Sequence, residues 1–194
     1  MRVISGLTVL LLFVIGLVPA SAQAHKAKGG TATIHLLDYC DPATFNSVLG
    51  DGACERDITP GLITFNGFLA EVGAEKSVGA WRFSPSPAKA GEHDQLAITN
   101  LGGELHTFTK VKKFGGGFVA PLNDASGNPV PAPECATVVN GNLIPQPPGP
   151  DNLFIPAGGS ATHAGSHENV RYQCCIHPWM RTTIRERHSE SSHQ

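Results

Sequence analysis

Two adjacent cysteines, a histidine and a methionine near the C-terminal end of the chain could together bind a soft metal ion. They lie within the nine residues of YQCCIHPWM, 172–180. Cys174, His177 and Met180 have the spacing C-x2-H-x2-M. Thiolate and thioether sulfur are soft ligands and imidazole is borderline, so this set favours copper over hard cations.

A trigonal copper site of two histidines and one cysteine, with a distant axial methionine, needs a second imidazole from elsewhere in the chain. His106 is the best candidate, because a Gly-Gly turn precedes it and the alternating segment LHTFTKV, 105–111, surrounds it. Pairing of strands that are distant in sequence would bring it beside the C-terminal loop. The other histidines, at 25, 35, 93, 163, 167, 188 and 193, are predicted to have ordinary surface or core roles.

The strand geometry predicts which of the two cysteines binds the metal. Neighbours in a strand point to opposite faces, and residues two apart are separated by about 6.6 Å. Ligand atoms of one metal must come within about 4 Å of each other. Cys175 could meet His177 only if the strand broke at once, whereas two residues lie between Cys174 and His177. The fixed φ of Pro178 favours the turn that brings Met180 toward the same metal. We therefore expect Cys174 to be the ligand and Cys175 to face away.

This pattern resembles the cupredoxins, the plastocyanin and azurin family of blue copper proteins. In that family an upstream histidine in an N…H-[ST]-F strand joins a C-terminal Cys…His…Met loop. The match covers 100–108 and 172–183, and the short loop with its His-Pro-aromatic-Met ending is similar to that of amicyanin.

The resemblance implies one type 1 copper per chain. His106 and His177 would supply nitrogen, Cys174 the thiolate and Met180 the axial thioether. Asn100 would be the residue that ties the two ligand loops together.

The strand pattern is typical of an all-β protein, and with the resemblance it predicts a cupredoxin-like Greek-key β-sandwich with a Pro/Gly-rich insertion. Short segments with alternating, β-branched or aromatic residues are expected to form the strands. They are TATIHLLDY (31–39), GLITFNGFLAEV (61–72), VGAWRFSP (78–85), DQLAITNL (94–101), LHTFTKV, NLFIPA (152–157), VRYQCCI (170–176) and MRTTIRER (180–187). DPATFNSVLG, 41–50, is expected to form one or two helical turns after an Asp or Thr cap.

Five cysteines leave at least one thiol unpaired. A Cys40–Cys54 disulfide would close the loop 40–54. Cys135, in the insertion 121–152, would then pair with Cys175 or stay free, since four non-ligand cysteines allow three pairings. The insertion is too rich in Pro and Gly to hold a central strand.

Residues 1–24 have the layout of a secretory signal peptide: one arginine, an apolar run and two A-x-A sites, which leave cleavage after Ala22 or Ala24 open. Residues 25–194 are then expected to form a single cupredoxin-like domain with a polar C-terminal tail. No second apolar run follows, so we expect no stable membrane span after cleavage. The predicted location is periplasmic or secreted, where disulfides persist. Cleavage after Ala24 would expose His25 as the first residue, and cleavage after Ala22 would leave Gln23-Ala24-His25, a terminus able to bind Cu(II); an ordinary role for His25 is still the prediction.

The predicted function is transfer of single electrons through Cu(I)/Cu(II) between redox partner proteins of unknown identity. The chain lacks the His-x-His clusters of multicopper enzymes, so we predict that it is not an enzyme. A net charge of −2 gives no footprint for nucleic acid. His177, beside Pro178 and Trp179, is expected to be the exposed edge through which electrons pass.

Competing interpretations remain open. The chain could be a periplasmic copper carrier or resistance protein without redox duty, or a sandwich module that has lost its metal. The C-terminal motif could also be a disulfide-bonded strand followed by a turn. FGGGF, 114–118, lacks the Lys-Ser/Thr of a phosphate loop and is interpreted as a flexible turn.

Overall fold

The structure is a computed structural model that describes residues 29–56, 62–166 and 168–187. The predicted signal peptide, 1–24, lies outside these ranges and stays a prediction. His25, His167, His188 and His193 also lie outside them.

Two mixed β-sheets form the body of the protein. The first has the order β2-β1-β4-β9, where β1 is Thr31–Leu37, β2 Arg82–Ser84, β4 Gln95–Asn100 and β9 Ser160–Ala164. The second has the order β3-β11-β10-β5-β8, where β3 is Ala88–Ala90, β5 His106–Val111, β8 Asn152–Ile155, β10 Val170–Gln173 and β11 Arg181–Glu186. Most neighbours in each sheet are distant in sequence, so the fold depends on long-range pairing.

The core lies between the two sheets. In β1 every second residue is buried, at Ala32, Ile34 and Leu36, as expected for a strand with one face toward the core. Phe83 of the first sheet packs against Phe108 of the second, with ring centroids 5.5 Å apart. The predicted β-sandwich is therefore confirmed.

Three helices accompany the sheets in the described part of the chain. The predicted helical turns form α1, Pro42–Leu49, where the Asp41 side chain accepts a hydrogen bond from the Ala43 N–H as an N-cap. α2 spans Phe65–Glu75 and α3 spans Ala120–Ala125.

The prediction of a strand over 61–72 is wrong, because α2 occupies most of it. Phe65, Phe68 and Val72 recur at intervals of three and four, which is the period of one helix face and not the alternation of a strand. The Thr64 side chain accepts a hydrogen bond from the Gly67 N–H and caps the helix. The prediction therefore applied the two-residue period of a strand to apolar residues that follow the period of a helix.

The Pro/Gly-rich insertion holds no central strand, as predicted; its last residue, Asn152, begins the edge strand β8. The insertion contains α3 and a separate two-stranded hairpin of β6, Ala136–Val139, and β7, Asn142–Pro145. β9 was not predicted; it pairs with β4 at the edge of the first sheet.

Within the described ranges, no helix combines the length and the apolar character needed to cross a membrane.

Candidate metal centre

Three of the predicted ligands meet in one buried cluster. Ligand atoms of His106, Cys174 and His177 all lie within 4.8 Å of one another. The Cys174 Sγ is 3.7 Å from the Nδ1 of His106 and 3.9 Å from the Nδ1 of His177. In the described part of the chain, no other group of three His, Cys, Asp or Glu side chains comes this close.

Sheet pairing brings the cluster together. His106 opens β5, and Cys174 directly follows β10, its antiparallel neighbour. Thr107 links the two segments: its N–H donates to the Cys174 Sγ at 3.4 Å, and its Oγ1 accepts from the Cys175 N–H at 2.7 Å. The thiol is therefore held against the strand that carries the first histidine.

The C-terminal loop folds back on itself between β10 and β11. The Cys174 N–H donates to the Met180 carbonyl at 3.0 Å, and the Met180 N–H donates to the His177 carbonyl at 2.9 Å. Met180 is buried. These bonds hold all three motif residues in one closed turn, while a bond from the Met180 sulfur to a metal stays a prediction.

Two buried carboxylates face the far side of the histidine rings, and sequence reasoning missed both. The Asp38 Oδ2 is 2.7 Å from the His106 Nε2. The Glu104 Oε2 is 3.4 Å from the His177 Nε2 and also accepts a hydrogen bond from the Trp81 indole N–H. Glu104 stands two residues before His106 and could have been noticed; nothing in the sequence links Asp38 to a position 68 residues away.

The electrostatics of the cluster favour a thiolate. Burial alone raises the pKa of Cys174, but contacts with His106 and His177 outweigh it and hold that pKa well below its ordinary value. Burial lowers the pKa of His106, but the hydrogen bond to Asp38 and the contact with Cys174 prevail and raise it to about 10. A thiolate is the form that binds metal.

The predicted exposed edge at His177 is wrong. His177 is only 3% exposed. Phe68 of α2 meets its ring edge-on with centroids 6.3 Å apart, and Trp81 lies at 6.4 Å. The helix that was predicted as a strand therefore covers the imidazole. Trp179 packs on His177 at 5.5 Å and is the partly exposed member of this group.

Asn100 does not tie the two ligand loops together, contrary to the prediction. Its side-chain amide donates to the carbonyls of Glu104 at 2.7 Å and Ile155 at 3.0 Å, and its oxygen accepts from the Gly102 N–H at 2.9 Å. It therefore fixes the turn that leads into His106, and Thr107 makes the link to the second loop.

The cysteine pairing resolves which thiol is left over. The predicted Cys40–Cys54 disulfide is confirmed. Cys135 pairs with Cys175, one of the two outcomes that the sequence left open. Cys174 is free and fully buried.

The FGGGF turn packs against the ligand loop. A Cβ on Gly117 would lie 1.7 Å from the Cys175 carbonyl oxygen, so only glycine allows this approach. The Phe118 N–H donates to the same carbonyl at 2.8 Å. Gln173 holds the turn further, accepting from the Gly115 N–H at 3.0 Å. The segment interpreted as a flexible turn therefore supports the loop that carries the cluster.

The comparisons with known sequences found no relative, and the comparison with solved structures found a weak likeness. No family model matches the sequence, and no curated protein matches it. A solved structure described as "Novel Purple Cupredoxin from Nitrosopumilus maritimus" is 14% identical; the alignment covers 80% of this chain and 99% of that chain, with a TM-score of 0.39. The site is defined by the positions of His106, Cys174 and His177 in this structure. The described part of the chain has a buried His-Cys-His cluster in a β-sandwich.

Proposed function

We propose that this chain is an exported type 1 copper protein that carries single electrons between redox partners. The observation that carries the proposal is the buried cluster of His106, Cys174 and His177, with ligand atoms within 4.8 Å of one another. We propose Met180 as the axial ligand, since the backbone bonds of the loop hold it beside Cys174 and His177.

The donor set fits copper. It combines two imidazole nitrogens with a thiolate, and this soft and borderline set is the one that type 1 copper prefers. The two disulfides use four of the described cysteines, and Cys174 is left with a free thiol. Bound there, copper would supply a couple that gains and loses one electron.

The protein holds the ligand side chains in fixed positions. His106 sits on a central strand of the second sheet, and Cys174 is fixed by its own N–H and by the N–H of Thr107. A rigid set of ligands rearranges little when the metal changes oxidation state. A small rearrangement makes electron transfer fast. The cluster is also closed to water, since His106 and Cys174 are fully buried.

With His177 buried, we propose Trp179 as the edge through which electrons enter and leave. Its ring meets the His177 imidazole and also packs on Phe68, 5.9 Å away. It is partly exposed, whereas His106, Cys174, His177 and Met180 are buried. A partner docking at Trp179 would come close to the ligand ring through one aromatic contact, and weak redox encounters need only a small interface.

Export is part of the proposal. The two disulfides are consistent with an oxidising compartment such as the periplasm or the extracellular space. The proposed signal peptide, 1–24, and a single mature domain over 25–194 complete this assignment.

A copper carrier is the alternative, and the burial of the cluster supports the electron carrier over it. A carrier has to release its metal quickly, whereas a site whose ligands are 0–3% exposed favours retention. Transfer of Cu(I) to a competing chelator within seconds would favour the carrier, and slow transfer favours the electron carrier.

The visible and electron paramagnetic resonance spectra of the purified Cu(II) protein test the proposal. One copper per chain and an intense thiolate-to-copper band are expected, because Cys174 would form a short bond to the metal. A fully copper-loaded, oxidised protein without an intense visible band would contradict the type 1 assignment.

A further inference from the structure

The two histidines of the cluster are oriented in the same way. Each turns its Nδ1 toward the Cys174 sulfur, at 3.7 Å for His106 and 3.9 Å for His177. Each turns its Nε2 toward a carboxylate, Asp38 at 2.7 Å or Glu104 at 3.4 Å. Each carboxylate therefore lies on the side of its imidazole ring opposite the Nδ1 that faces Cys174.

Asp38 is the more tightly built of the two. Its Oδ1 accepts from the Gly103 N–H at 2.8 Å and the Cys40 N–H at 3.3 Å, and its Oδ2 accepts from the Glu104 N–H at 3.2 Å. The Oδ2 also meets the His106 Nε2, and both side chains are fully buried. A buried carboxylate surrounded by donors is held in one orientation.

The Gly-Gly turn makes room for this carboxylate. A Cβ on Gly102 would lie 1.8 Å from the Asp38 Oδ2. A Cβ on Gly103 would lie 2.6 Å from the Cys40 sulfur, in the disulfide that follows Asp38. Both glycines therefore allow the end of β1 to approach the turn before His106. This close approach makes the contact between Asp38 and His106 possible.

We propose that Asp38 is a positioning residue that accepts the Nε2–H of His106 and so commits the His106 Nδ1 to the metal. This inference rests on the proposed copper site. An imidazole that binds a metal is neutral, with one donor and one acceptor nitrogen, and the partner of one nitrogen decides the role of the other. Residues that orient a ligand histidine from behind typically contribute a factor of about 10–100 to metal affinity.

Glu104 makes the same kind of contact with His177, but less directly. The Glu104 Oε2 lies 3.4 Å from the His177 Nε2, which is 0.7 Å more than the 2.7 Å between the Asp38 Oδ2 and the His106 Nε2. The same Oε2 also accepts a hydrogen bond from the Trp81 N–H. We therefore expect the larger effect from Asp38.

Copper affinity of three variants tests the role. Asp38→Ala removes both acceptor oxygens and is expected to weaken Cu(I) binding by about 10–100-fold. Asp38→Asn keeps one acceptor oxygen and is expected to lose less. The matched control is Asp94→Asn, which changes another carboxylate that accepts two backbone N–H bonds, from Gly30 and Gly91, outside the cluster. It is expected to leave the affinity unchanged.

A measurement on the unmutated protein covers the case in which the Asp38 variants fail to fold. In the diamagnetic Cu(I) protein, nitrogen-15 NMR is expected to show the His106 Nε2 protonated and protected from water, with no proton on Nδ1. The same protected Nε2–H is expected in the metal-free protein.

The outcomes separate this inference from the proposed function. A protein that binds no copper yet shows the protected Nε2–H contradicts the function and keeps the Asp38 contact. A His106 protonated on Nδ1 in the Cu(I) protein overturns the inference, and so does an Asp38→Ala variant that folds and binds Cu(I) as tightly as the parent.

Discussion

Cys174 and Cys175 are consecutive residues whose sulfur atoms belong to different clusters. The Cys174 thiol lies between the two imidazoles, 3.7 Å from the His106 Nδ1. The Cys175 sulfur is bonded to Cys135, in a second apolar cluster with Val111. The two side chains leave the chain in different directions just after β10 ends at Gln173, so one sulfur is free to bind metal while the other anchors the insertion.

This division predicts opposite results for two substitutions. Cys174→Ser is expected to abolish the intense visible band, because a hydroxyl replaces the thiolate. The double variant Cys135→Ser/Cys175→Ser removes the disulfide without leaving a free thiol, and it is expected to keep the band. Spectra of the copper-loaded variants check both. Loss of the band in the double variant with retention in Cys174→Ser would reverse the ligand assignment.

Removal of that disulfide has a cost in stability. Loss of a cross-link between residues 40 positions apart is expected to lower the free energy of unfolding by about 2–4 kcal/mol. Denaturant titration of the double variant measures it. Equal midpoints for the variant and the parent would contradict this expectation.

The proposed axial ligand can be tested without losing the copper. Met180→Gln is expected to retain the metal and to lower the reduction potential, because a harder oxygen ligand favours Cu(II). Voltammetry of the parent and the variant gives the difference. An unchanged potential means that the Met180 sulfur does not contact the metal.

Gly117 is predicted to be essential for the position of the ligand loop. Gly117→Ala places a Cβ against the Cys175 carbonyl and is expected to lower the free energy of unfolding by about 1–3 kcal/mol, as overpacking does. It should also shift the visible band, because Cys175 follows the thiolate directly. The matched control is Gly149→Ala, since a Cβ there meets nothing within 4 Å. Equal unfolding midpoints for the two variants would count against this role.

Trp179 is predicted to set the rate of electron exchange. Trp179→Leu is expected to slow exchange with a small inorganic oxidant several-fold, since the aromatic contact with His177 is lost. Trp179→Phe keeps an aromatic ring there and should slow exchange less. Stopped-flow kinetics measures both, and an unchanged visible spectrum shows that the copper site itself is intact. If leucine and tryptophan give the same rate, electrons take another route.

The sequence by itself determined the features that depend on residues close together in the chain. The spacing of Cys174, His177 and Met180 predicted one loop, and the loop closes through its own backbone bonds. The Cys40–Cys54 disulfide joins positions 14 apart around a capped helix and was predicted for the same reason. His106 was named from its strand, and pairing of β5 with β10 brought it to the loop, while its role as a ligand stays a prediction.

Only the tertiary structure decided what surrounds the cluster. Asp38 reaches His106 because β1 ends beside the Gly-Gly turn, and a contact between residues 68 apart leaves no local pattern. His177 is buried because Phe68 lies on a helix, and an apolar run with glycine can satisfy either a strand or a helix until its packing partners are known. Local spacing specifies which side chains can meet within a loop, but burial and charge depend on which distant elements pack over it.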